Sequence, residues 1–85
     1  MNHQIGFQFT KENGDWKDEF ILAALKSNGW DYSTLGEANE LAKTTLRNAV
    51  RAPWPKGEGI IASALGLKPE DIWPSRYLDK EVKRG

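Results

Sequence analysis

Lys43, Thr44, Arg47, Asn48 and Arg51 crowd into one short stretch of the chain. Wound at 3.6 residues per turn, they fall on one side of a helix, and Leu46, Ala49 and Val50 fall on the other. The chemistry of the polar side is recognition rather than bond-making. Arginine can bond two acceptors of guanine at once, and asparagine two positions of adenine. Threonine can bond a base or a phosphate and can touch the thymine methyl, while lysine neutralises phosphate. The bland reading of such a face is ordinary solvated helix. Thr44 and Thr45 weaken it, because two adjacent β-branched residues are poor helix formers.

Such a face needs elements to aim it. The reading segment is expected as a helix from about Ala42 to Val50, closed by Arg51, because Pro53 disfavours helix at Ala52. Before it, a short helix is expected from about Tyr32 to Ala38, capped by Asp31, with Thr34 and Glu37 as a second capping pair. Only Asn39, Glu40 and Leu41 separate the two. A turn that short forces a steep angle, the geometry of a helix-turn-helix, in which the second helix enters the major groove. Leu35, Gly36, Leu41 and Leu46 suit the pattern. Glu40 departs from it, standing where glycine usually takes a left-handed backbone, and Asn39 stands at a usually apolar position. An ordinary helical hairpin remains the alternative at this point.

The remaining elements are helical too. Asp15 reads as the N-cap of a helix running to Ser27, with Trp16, Phe20, Ile21, Ala24 and Leu25 on one face. Pro55 opens a helix to about Leu65, ended by Gly66. A last helical turn starts at Pro69 and stops at Pro74. The fold expected is all-α, a small bundle of four to five short helices. Residues 1–14, in which Ile5, Phe7 and Phe9 alternate with polar residues, are expected as an extended or mobile arm. Residues 15–77 form the domain and residues 78–85 a charged tail.

Composition narrows the function. With 85 residues and no cysteine, the chain is one small domain without disulfides. Its formal net charge is zero, but the charge is segregated. Glu12, Asp15, Asp18 and Glu19 cluster early, whereas Lys43, Arg47, Arg51 and Lys56 occupy a central stretch without acids. The single histidine, His3, and the lack of metal-ligand spacing argue against an enzyme or a metal site, and no cofactor is implied. No apolar run is long enough to span a membrane, and the first residues do not read as a signal peptide, so a cytoplasmic protein is expected.

The stretch TTLRNAVRAPWPKGEGIIASALGLKPEDIWPSRY then carries a resemblance. TLRNAV, WPKGEGIIASAL and PEDIWPSRY resemble the motifs of the Ner family of phage transcriptional regulators and their bacterial relatives of the sugar fermentation stimulation protein B type. DWKDEFILAALKSNGW is similar to the family's first helix. Val50 and Glu40 depart from the pattern. The resemblance covers about residues 15–77. It implies a repressor-like, helix-turn-helix domain that binds double-stranded operator DNA in the bacterial nucleoid or host cytoplasm, without catalysis. By position, the 42–51 helix is the reader, and Lys43, Thr44, Arg47, Asn48 and Arg51 read bases. Lys56, with the amides of Gly57 and Glu58, is expected on the DNA backbone. Ser33, Thr34 and Thr45 join it. Arg76 is either another phosphate contact or a brace for a buried acid.

Two rivals stand beside this reading. A helical protein–protein interaction module without DNA affinity would suit four tryptophans and zero net charge. An RNA-binding module would need exposed aromatic platforms, whereas the tryptophans here fall at core positions. Binding as a homodimer or in tandem on DNA is compatible with the sequence, which shows no zipper.

Overall fold

The computed structural model describes residues 9–78. Ile5, Phe7 and His3, and the tail beyond Leu78, lie outside the described residues. The order is α1 (Asp18–Ser27), α2 (Tyr32–Ala38), α3 (Asn48–Arg51), α4 (Pro55–Ala64), α5 (Pro69–Ile72) and a 3₁₀ turn (Pro74–Arg76). Among the described residues the extended pairing is a single antiparallel bridge, Thr10 to Trp16. The fold is all-helical.

α1 begins later than expected, and Asp15 is not its cap. Lys17 holds the N-cap position without a side-chain bond. Asp15 is instead buried, and its carboxylate accepts from the Ser75 amide at 2.9 Å and the Ser75 hydroxyl at 2.6 Å. A long-range pair of bonds has replaced the local one. Trp16 N–H donates to the Ile72 carbonyl at 2.9 Å, tying the same two regions together. Residues 9–14 fold back on this corner. Lys17 N–H donates to the Phe9 carbonyl, and the Phe9 and Trp16 rings each lie 4.6 Å from Phe20.

α2 starts as its sequence dictates. Asp31 Oδ1 accepts from the Thr34 amide at 2.8 Å, and Thr34 Oγ1 accepts from the Asp31 amide at 2.9 Å. This reciprocal cap uses Thr34 as partner of Asp31, so the expected Thr34–Glu37 pair is superseded. The turn that follows puts Glu40 at φ 65°, so the left-handed backbone of the motif is kept although glutamate stands where glycine is usual. Leu41 N–H returns to the Gly36 carbonyl at 2.9 Å. Gly36 is where the two segments cross, since a Cβ there would meet the Ala42 carbonyl oxygen at 3.4 Å and Leu46 Cβ at 3.6 Å.

The reading segment is tighter than a full α-helix. Residues 43–47 form consecutive turns, and α3 proper covers only Asn48–Arg51. Thr45, Asn48, Ala49 and Val50 each donate to the carbonyl three residues back. That is the 3₁₀ pattern, common where a helix end has no cap and β-branched residues crowd the backbone. α4 ends with Gly66 N–H on the Ser63 carbonyl and Leu67 N–H on the Ala62 carbonyl, the paired bonds of a glycine-terminated helix. Ile21, Leu25, Leu35, Leu46, Ala49, Val50, Ile61, Ile72 and Trp73 lie in the core, to which α1 to α5 each contribute. No helix of the described residues is long and apolar enough to cross a membrane.

Candidate nucleic-acid interface

Lys43, Thr44, Arg47, Asn48 and Arg51 are all exposed, and Thr45 is half-buried. Leu46, Ala49 and Val50 of the same segment are buried. The tight backbone therefore keeps the division into reading and packing sides. The polar side opens onto a depression of about 370 Å³ between α1, α2 and the reader. Ser33, Lys43, Thr44 and Arg47 meet along it, joined by Lys26. Lys26 was missed in the sequence, where a last-turn lysine reads as a partner of the helix dipole. The turn after α1 brings it beside the start of α2. Asp31 in the same wall is not a free acid in the usual range: its bonds to the Thr34 amide, chiefly, hold its carboxyl down, with smaller help from Lys26.

Thr34 is exposed, but its hydroxyl and amide are engaged with Asp31. Lys56 is exposed on the other flank, where it lines a shallow groove with Asn39, Pro55 and Ile60. The structure does not bring it into the depression with Lys43.

Of the Gly57 and Glu58 amides expected on DNA, that of Glu58 is engaged within the chain. Glu58 N–H donates to the Trp54 carbonyl at 2.9 Å within α4's first turn. Gly57 is buried, and a Cβ on it would lie 2.3 Å from Trp54 Cε3 and 2.9 Å from Ala49 Cβ. Its glycine lets the indole lie flat against the helix start. The negative charge that the N-terminus of α4 attracts comes from the chain itself. Glu58 is 1% exposed, and its Oε2 accepts from the Trp54 amide at 2.7 Å.

Arg76, open between two roles on sequence, has the geometry of a brace. It pairs with Glu58 at 3.1 Å. Its Nη1 donates to the Ala49 carbonyl at 2.6 Å and its Nη2 to the Val50 carbonyl at 3.0 Å. Its guanidinium also lies 4.8 Å from the Trp73 ring centre. Tyr77 completes the cluster by donating its hydroxyl to Glu58 Oε1. Burial, chiefly, and that bond push the Tyr77 phenol up to about 12. The cluster satisfies the last carbonyls of the reader and locks them to α4. Sequence reasoning offered the brace but not its second function as a C-terminal cap for the reader. Among the described residues no group of acids, histidines or cysteines could hold a metal ion.

Known proteins agree with this architecture. The family model described as "Winged helix-turn-helix DNA-binding" matches residues 15–84. The chain is similar to sugar fermentation stimulation protein B of Escherichia coli K12, at 48% identity over 80% of this chain and 74% of that one. It is 51% identical to the "Negative regulator of transcription" of Escherichia phage Mu, over 74% of this chain and 84% of that one. It superposes on the solution structure of the Mu Ner protein with a TM-score of 0.68 and 47% identity, covering 80% of this chain and 92% of that one. The helix-turn-helix with its exposed polar side, the WPKGE corner around Trp54 and the WPSRY brace around Arg76 thus have a common setting: the chain belongs to the Ner family of helix-turn-helix DNA-binding proteins.

Proposed function

We propose that this chain represses transcription by occupying an operator, with the 42–51 segment in the major groove. The observation that carries the proposal is the split of that segment. Its base-reading residue types are exposed, while Leu46, Ala49 and Val50 anchor it in the core. The phage relative named as a negative regulator of transcription supports the direction of regulation. Lys43, Thr44, Arg47, Asn48 and Arg51 are the base readers in this reading. Ser33, Thr45 and Lys56 hold the backbone on either side. Two copies, paired or in tandem, raise the affinity that one small module supplies. The protein works in the cytoplasm, where the operator is.

Selection of bound duplexes from a random pool tests the proposal, and failure to enrich any sequence sinks it. On the selected operator, Arg47→Ala should cost about 1–3 kcal/mol and relax preference at one position. Lys56→Ala should weaken all duplexes alike and reduce the salt slope by about one. If both variants relax sequence preference equally, the division between reading and holding is wrong.

A further inference from the structure

Tyr32 is 7% exposed, and its hydroxyl oxygen is buried without a hydrogen-bond partner. Among the described residues it is the one buried side-chain polar atom in that condition. An unpaired buried hydroxyl lowers stability, and a phenylalanine would fill the same space without the loss. No hydrogen bond of the described fold uses the hydroxyl.

Its surroundings indicate a use. The ring walls the depression shared by Lys26, Ser33, Lys43 and Thr44, and it also walls a second one bordered by Asp18, Glu19 and Arg51, where the charge is mixed. Arg47 lines both, with its guanidinium 5.7 Å from the Tyr32 ring centre. Arg47 is exposed and on a flexible stem, whereas the ring is fixed in the core. Acids face the ring from α1 and the α2 cap, but Asp31 is engaged with the Thr34 amide. The balance in the first depression is cationic. Burial, with Asp18 adding and Arg47 opposing, pushes the phenol up to about 12, so it stays a proton donor throughout the neutral range.

We propose that the Tyr32 hydroxyl binds a DNA phosphate, which reaches it when Arg47, lying over the ring in the free protein, turns into the groove. Lys26 and Lys43 supply the charge around the same phosphodiester. Reading and anchoring are then coupled: the residue that leaves the ring to read a base opens the donor that holds the backbone. This rests on the 42–51 segment being the DNA-reading element.

The test uses the full chain and the duplex that wild type selects. Tyr32→Phe should keep or raise the melting temperature, yet bind about tenfold more weakly, the worth of one hydrogen bond to a charged acceptor. Because the lost donor is neutral, its salt slope should match wild type, whereas Lys26→Ala should lower that slope by about one. Wild-type affinity in Tyr32→Phe overturns the assignment, and so does a parallel fall in melting temperature and affinity, which marks a packing role. An unchanged slope in Lys26→Ala removes Lys26 from the phosphate. Wild type binding no duplex is a different failure: it removes the DNA reading itself, and the Tyr32 assignment with it.

Discussion

Arg76 pairs with Glu58 at 3.1 Å while its other donors reach the Ala49 and Val50 carbonyls. One guanidinium therefore joins α4 to the end of the reading segment. Removing one partner of a buried pair strands the other, which typically costs about 3–5 kcal/mol. Arg76→Ala should lose stability on that scale by urea denaturation. A phosphate-contacting Arg76 would behave differently, leaving stability intact and lowering the salt slope of DNA binding.

Gly57 should not tolerate a methyl group. With Trp54 Cε3 at 2.3 Å from a Cβ there, Gly57→Ala must push the indole or α4 aside. Overpacking of this kind typically costs about 1–3 kcal/mol. Near-ultraviolet circular dichroism should register the displaced tryptophan. An unchanged spectrum and midpoint would show that the corner can yield.

Glu40 invites the opposite change. Its φ of 65° strains a residue with a Cβ. Glu40→Gly relieves that strain but gives the unfolded chain more freedom, and the net should be a gain of about 0.5–1 kcal/mol. The urea midpoint should rise with affinity for the operator unchanged. A lower midpoint would mean the glutamate side chain contributes more than its backbone strain removes.

Alkaline pH should destabilise the fold. Tyr32 and Tyr77 are both raised from 10.0 to about 12, so the folded state holds both protons more tightly than the unfolded chain does. Their contribution is complete below the unfolded value and is lost as pH rises through the folded one. Urea midpoints should hold up to about pH 9 and fall by about pH 11. A midpoint level across that window would contradict the raised values.

What the sequence disclosed was mostly local. Asp31 as a cap and Pro55 as a helix start follow from rules that span a few residues, whereas Glu40 counted against the left-handed turn it nevertheless makes. The exposed polar side followed from periodicity, although the turns of residues 43–47 did not, because propensity gives no hydrogen-bond register. Asp15 misled because an aspartate before an apolar stripe is a good cap, and nothing nearby signalled Ser75, 60 residues away. Gly57 looked like bare backbone for a ligand, whereas the space it leaves belongs to Trp54. Lys26 and Tyr32 became neighbours of the reader only once three helices were in place.

The bonds from Asp15 to Ser75 and from Arg76 to Ala49 also set an order of manufacture. Chains emerge from the ribosome N-terminus first. Here the fastening of the DNA-reading end waits for a residue made 27 positions later, and the opening of the domain waits for Ser75. A nascent chain should therefore have no finished 42–51 surface until Arg76 has been synthesised. Messages cut short before the WPSRY motif should yield fragments that do not compete for the operator, so that only copies carrying that motif take part in the binding we propose.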